Sequence, residues 1–410
     1  MNTKAFTLIE LLVVIAILAV LAVAVTLILN PAELIRQGRD SIRLSDLATI
    51  NKALGLYQTD QIAQWMGTST IVYTSLPDTD STCSSYGLPS LPSGWTYNCQ
   101  TTTTYTNVDG TGWLPVNFTS MSFSSPLARL PVDPVNNATS SKYYTYVSGG
   151  SWKLSAIFES ETRAADAADD GGVDPATYET GTDLELAPFT HGLTGYWKFD
   201  ESGTTVTDSS GYGNNGTMYS SSTITDLHTS SGCKKGSCVT FDGIDDYIQT
   251  INDYFDITNT NFPEVTLSCW IKSEPGGKAL QGIVGEQNFN GGGSSTDDTG
   301  LYRYSSASTR FSLNTRTHNR TTVSTISANS EWQHIVATYN GTTLKIYKNE
   351  TEEDSSTSSG YVGISGGLDR PFTIGLALST SYTFKGLIDD IRIYNRALSA
   401  AEVEAMYNSY

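Results

Sequence analysis

Lys4-Ala5-Phe6-Thr7-Leu8-Ile9-Glu10, followed by the apolar run from Leu11 to Leu29, decides how the rest of the chain is read. A polar leader of five residues with one Lys is too short for a standard signal peptide. The run behind it is too long for a secretory h-region and long enough to cross a bilayer. Glu10 lies inside the apolar part. A carboxylate costs roughly 2.5–3.5 kcal/mol near the centre of a membrane helix, so an acid retained there calls for a partner.

Beyond Leu29 comes Asn30-Pro31, which removes one backbone hydrogen bond and predicts a kink or loosening of the helix. Ala32 to Tyr57 then turns amphipathic. Leu47, Ile50, Leu54 and Tyr57 recur at three- and four-residue spacing, with Arg36, Arg39, Asp40, Arg43 and Asp46 expected mostly on the other face. The two halves together predict one spine of roughly 75 Å.

The chain has 410 residues, room for two or three domains. A net charge of −18 argues against nucleic acid or anionic lipid as the main partner, because both need a basic surface. Thr, Ser, Gly and Tyr dominate past the leader and suit extracellular β-structure. Cys83 with Cys99 and Cys233 with Cys238 are close pairs that read as disulfides in an exported chain, and Cys269 stands alone on an apolar face as a buried thiol. The four His (191, 228, 318 and 334) are scattered rather than gathered as metal ligands.

Residues 58–188 read as a small head. Tyr143 to Val147 and Trp152 to Phe158 predict two strands joined at Ser148-Gly149-Gly150-Ser151. Asp166, Asp169, Asp170 and Asp174, around Gly171-Gly172, read either as a calcium loop or as a solvated acidic linker. From Leu193 onward, short strands alternate with Gly, Asn and Ser turns, the pattern of a β-sandwich.

Two resemblances sharpen these expectations. The first 30 residues resemble a type IV pilin or pseudopilin precursor. The resemblance implies cleavage between Ala5 and Phe6, N-methylation of Phe6, and neutralisation of Glu10 by the Phe6 amine of a neighbouring subunit. Ala5 departs from the Gly usual before the cut. The implied fold is an α+β pilin, a long N-terminal helix plus a small antiparallel sheet, with leader 1–5, assembly helix 6–57 and head 58–188.

Residues 189–410 resemble the laminin-G-like, concanavalin A-like jelly-roll family. The landmarks are Gly195-Tyr196-Trp197-Lys198-Phe199-Asp200, Asp208 to Thr217, Phe241 to Ile248, Val265 to Lys272, Trp332 to Tyr339 and Phe384 to Ser399. Members often hold a structural calcium, which carries over to Asp200, Asp208, Asn214 and Asp389 here. Strict alternation along the last strand puts Leu387, Asp389, Ile391 and Ile393 on one apolar face, where a carboxylate needs a cation or several donors. Trp270 and Tyr247 read as core or as sugar-stacking platforms.

Catalysis is not expected. The alternating acids of a retaining glycosidase, His-Glu-x-x-His and a phosphate loop are all missing from the sequence, and Glu350 to Asp354 reads as a solvated hairpin loop. The expected function is a minor or specialised pilin displaying a lectin-like domain for adhesion. The alternatives are a type II secretion pseudopilin contacting exported substrate and a filament-decorating pilin with no ligand. Implied partners are other pilin subunits, prepilin peptidase, the assembly platform in the membrane, and glycans or another cell surface. The implied route runs from the inner membrane, as a single-pass precursor, to an extracellular filament.

Overall fold

The computed structural model describes residues 8–9, 11–18, 30–60, 65–89, 91, 94–184, 186, 191–221, 223–250, 264–286, 300–304, 308–313, 319–324, 331–357, 372–377 and 379–410. Residues 8–9 and 11–18 are helical, and a second helix, α1, runs Pro31–Asp60. At Asn30-Pro31, where the sequence predicts a kink or loosening, α1 begins. Asn30 has φ 36°, and its carbonyl accepts from the N–H groups of Glu33 and Leu34 at 3.0 and 3.2 Å. Pro31 suits the first helical turn because its missing N–H would be unpaired there anyway.

The buried residues of α1 include Asp40, Arg43, Leu47, Ile50, Leu54 and Tyr57, a stripe of three- and four-residue steps. It packs on a five-stranded sheet of β1 (Ile71–Pro77), β2 (Thr96–Gln100), β3 (Thr145–Ser148), β4 (Trp152–Ala156) and β5 (Tyr178–Gly181), in the order β2-β1-β3-β4-β5. The β3–β4 hairpin lies where the sequence puts it. The sheet is mixed rather than antiparallel, because β2 runs parallel to β1, and Cys99 in β2 is bonded to Cys83 in the connection between them. Trp113, Leu114, Tyr144, Tyr146 and Leu154 join the α1 stripe in one core.

The remaining strands form a sandwich. They are β6 (Leu193–Trp197), β7 (Thr205–Val206), β8 (Gly216–Ser220), β9 (Thr223–Ile224), β10 (His228–Thr229), β11 (Cys238–Asp242), β12 (Tyr247–Thr250) and β13 (Val265–Ser273). Then come β14 (Leu280–Glu286), β15 (Gly300–Tyr304), β16 (Ser308–Leu313), β17 (Asn319–Ser324), β18 (Trp332–Tyr339) and β19 (Thr343–Lys348). The last are β20 (Thr351–Thr357), β21 (Phe372–Ile374), β22 (Leu376–Ala377), β23 (Ser379–Thr383) and β24 (Lys385–Tyr394). One sheet runs β10-β11-β24-β13-β18-β19-β20 with β6 on β24, and the other runs β17-β16-β15-β14-β21-β12-β8-β7 with β9 on β8. Trp197, Leu267, Ile335, Ile346, Phe372 and Ile391 are among the side chains filling the space between them.

Two expectations fail here for local reasons. Strict alternation breaks in β24, where the register against β13 shifts and Asp390 has φ 52°, a β-bulge. Ile388, Ile391 and Ile393 therefore all enter the core. Asp389 instead faces the Cys233–Cys238 loop. Glu352 to Asp354 lie in edge strand β20, not in a loop, and Lys345 reaches Glu352 across the pairing at 2.8 Å. Charge on an edge strand discourages pairing with other chains.

Candidate functional site

The described part of the N-terminal helix is apolar and uncovered. Leu8 is 79% exposed, and even the least exposed of its large apolar side chains, Val14, is 46% exposed. So continuous an apolar surface needs lipid or protein around it. Ala5, Phe6 and Glu10 lie outside the described residues. Among the described residues, no helix is long and apolar enough to cross a membrane.

The charged residues of α1 carry a feature that periodicity did not reveal. Arg43 is fully buried, with Nε 2.6 Å from Asp133 Oδ2, Nη2 2.8 Å from Asp133 Oδ1 and Nη1 2.6 Å from Asp40 Oδ1. Its Nη2 also lies 2.7 Å from Glu159, which pairs with Arg39 as well. Burial works against the charge on Glu159, yet Arg39 and Arg43 hold its carboxyl down to about 2. Asp40 also accepts from the backbone N–H groups of Glu159 and Ser160. Arg43 thus joins the helix to two distant loops through bidentate, charge-assisted bonds.

Head and sandwich meet across the outer face of the eight-stranded sheet. Two further helices, α2 (Ala164–Ala168) and α3 (Ala400–Asn408), touch there. Ala176 from the head packs with Leu193, Tyr394, Leu398, Val403 and Met406. The Tyr394 hydroxyl donates to Asp174 at 2.9 Å, both side chains buried. Arg396 donates to the His191 carbonyl at 2.7 Å and lies 2.8 Å from Glu402. A cavity of about 470 Å³ opens beside this contact, walled by Lys142, Glu159 and Ala167 of the head and by Glu264, Arg396 and Glu402. Burial pushes the Lys142 amine down to about 8.

The acidic loop before β5 turns inward. Asp170 accepts from the N–H of Gly172, and Glu179 accepts from Val173 and Asp174 while lying 2.9 Å from Lys153. Burial, above all, raises the Asp170 carboxyl to about 8. Asp174 takes Ala176 N–H and the Thr177 hydroxyl as well as Tyr394. Backbone N–H groups, two hydroxyls and one Lys thus occupy the carboxylates of Asp170, Asp174 and Glu179.

The four residues expected to share a calcium fall into two groups. Asp208 accepts from the N–H groups of Tyr196, Ser210 and Asn214, and the Asn214 amide donates to the Thr194 carbonyl. Asp200 accepts from Ser237 N–H, and Asp389 Oδ2 accepts from the N–H groups of Lys234 and Lys235. Among the described residues, the side chains whose ligand atoms gather within 4.8 Å of one another are Asp242, Asp245 and Asp246; Asp200, Asp208 and Asp389 do not form such a group. Asp389 Oδ1 is buried without a hydrogen-bond partner, and burial raises the carboxyl to about 7. One oxygen is therefore open to a cation, but the four residues do not fit a single shared ion.

Both predicted disulfides are present, and Cys269 is a free thiol, fully buried. Trp270 is 1% exposed, packed against the His334 and Tyr407 rings and covered by the Lys234 amine at 4.0 Å. It is no platform for a ligand. Tyr247 is half-buried and stacked on Tyr219. Arg43 and its carboxylates escaped the sequence reading. The available signal was that Asp40 and Arg43 continue the Leu47-Ile50-Leu54-Tyr57 steps.

Comparison with known proteins agrees with both ends of the chain. The family model for the prokaryotic N-terminal methylation motif matches residues 1–26, and that for the concanavalin A-like lectin/glucanases superfamily matches residues 242–404. No curated protein matches. Among solved structures, domain 4 of AbnA, a GH43 extracellular arabinanase from Geobacillus stearothermophilus solved with arabinotriose, is 19% identical at TM-score 0.39, covering 53% of this chain and 98% of that one. The binding domain of Paraclostridial Mosquitocidal Protein 1 is 16% identical at TM-score 0.40, covering 53% and 52%. The receptor binding domain of botulinum neurotoxin C/D mosaic serotype is 13% identical at TM-score 0.41, covering 53% and 51%. The chain thus spans about half the length of the two toxin binding domains. Strands β6 to β10 precede the matched span, yet β6 pairs with β24 and β10 extends the same sheet through β11. The chain therefore carries a prokaryotic N-terminal methylation motif and, in its C-terminal half, a laminin-G-like, concanavalin A-like domain.

Proposed function

We propose that the chain is a minor or specialised type IV pilin subunit that carries a lectin-like sandwich on a cell-surface filament for adhesion. One observation carries this reading: a methylation motif at 1–26 leads into a helix whose apolar side chains are exposed from Leu8 to Leu18. Such a helix is stable only when lipid or neighbouring subunits cover it, first in the inner membrane and then in the fibre. In the filament, Glu10 pairs with the Phe6 amine of the next subunit. The sandwich, fixed to the head through Tyr394 and Arg396, faces outward as a recognition module rather than an enzyme.

The test is immunogold electron microscopy of intact cells with antibody against residues 193–410. Gold along or at the ends of extracellular fibres is the expected result, and its spacing reports a tip or a sparse shaft position. Gold that appears only after the envelope is opened sinks the adhesive reading and assigns the chain to a secretion machine.

A further inference from the structure

Lys153 in β4 stands opposite Gly181, and Glu179 in β5 stands opposite Ser155, so the two side chains are diagonal neighbours on one face of the head sheet. Trp152, Leu154 and Ala156 point the other way, into the core beneath α1. Lys153 Nζ lies 2.9 Å from Glu179 Oε1, and the two side chains are 2% and 1% exposed. We infer that Lys153 and Glu179 become joined by an amide bond between Nζ and Cδ, a covalent brace across β4 and β5. The brace belongs to the head and is independent of what the sandwich recognises.

Three features of the site favour attack over a lasting ion pair. The first is burial, which makes an ammonium and a carboxylate costly to keep charged. It raises the Glu179 carboxyl above its ordinary range despite the amine beside it. Proton transfer within the pair leaves a neutral amine, the nucleophilic form, against a neutral acid. The second feature is the environment of the other carboxyl oxygen. Glu179 Oε2 accepts from the backbone N–H groups of Val173 at 2.9 Å and Asp174 at 3.2 Å. Two such donors polarise the carbonyl and hold the charge that develops on Oε2 as the amine adds. The third is Asp170, which accepts from Glu179 N–H. Its carboxyl, raised to about 8 chiefly by burial, is uncharged at neutral pH and does not oppose that developing charge. Gly172 makes the fit possible. A Cβ there would stand 2.3 Å from Glu179 Oε2 and 2.8 Å from Asp170 Oδ1, so a larger residue would push the carboxyl off its donors.

The step needs no co-reactant. The Nζ lone pair forms the bond to Cδ, the Cδ–Oε1 bond breaks, and Oε1 departs as water with two of the three ammonium protons. The third proton stays on the amide nitrogen, and the charges of ammonium and carboxylate cancel. With both side chains shut away from bulk water, hydrolysis of the amide is slow once it has formed.

The test is the intact mass of the purified full-length chain, denatured and with both disulfides reduced. The wild type is expected to weigh about 18 Da less than its processed sequence, the mass of one water. Trypsin needs an unmodified lysine, so it should leave Lys153 uncut and release residues 143–163 branched to residues 164–198. Lys153→Arg keeps the positive charge but cannot form this amide. Its mass should match its own sequence, and its melting temperature should fall by several degrees. A wild type of full mass, cut normally after Lys153, overturns the brace and leaves an ion pair. A deficit that persists in Lys153→Arg places the lost water elsewhere and overturns it equally.

Discussion

The head and the sandwich solve the same problem with different chemistry. In the sandwich, two sheets close over a large apolar core made of side chains such as Leu267, Ile335 and Phe372. In the head, a single helix lies on one sheet, and Arg43, Asp40 and Asp133 are buried at the end of its apolar stripe. Apolar burial is non-directional and fixes no angle between helix and sheet. A bidentate guanidinium–carboxylate pair does fix one. Under the proposed assembly, in which the helix docks into neighbouring subunits, the orientation of α1 is what the head has to define.

Breaking the head's ion cluster should have the largest effect. Arg43→Met leaves Asp40 and Asp133 buried without a counter-charge, a loss of about 3–5 kcal/mol. Chemical denaturation should show it as destabilisation of the head. If Arg43→Met instead raises stability, the cluster is a burden that apolar packing could replace. The wild-type cluster should resist acid. With Glu159 held to about 2, its contribution is full above the ordinary carboxylate range, declines as pH falls from there and is gone below about 2.

Leu267→Ala tests the other side of the comparison. Leu267 is 1% exposed between the sheets, and truncation should cost about 2–5 kcal/mol. The loss should appear in the sandwich signal while the orientation of the head is unchanged. Equal shifts in probes of both halves would mean that they unfold as one unit. The smallest effect is expected from Tyr394→Phe, which removes the bond to Asp174 and should cost about 1 kcal/mol. Hydrogen exchange in residues 173–177 should then quicken before the cores of either half are affected. Unchanged exchange there would show that the apolar contacts of Ala176 alone hold the junction.

Much of this architecture was legible in the sequence because its signals are local. The β3–β4 hairpin is written in the aromatic runs around Gly149-Gly150, both disulfides in close cysteine pairs, and the buried Cys269 in the alternation of β13. What escaped depends on partners far along the chain. Asp133 and Glu159 lie 90 and more residues from Arg43, so a charged helix residue looked solvated. The bulge at Asp390 has no sequence marker, since a left-handed Asp is uncommon but sterically allowed. The calcium expectation assumed that matching residue types converge. Here the disulfide loop inserts its N–H groups at Asp200 and Asp389, and the turn at Asn214 satisfies Asp208.

The Tyr394–Asp174 contact has a mechanical consequence. From Asp174 the chain runs through Glu179, paired with Lys153, to β5, and Thr180 and Trp152 both bond Asn51 of α1 at 3.1 and 2.8 Å. A pull on the sandwich is thus shared by several contacts in parallel before it reaches the helix. Under the proposed adhesive role, the subunit should respond to tension as one stiff lever, with a sharp yield force rather than the give of a soft tether.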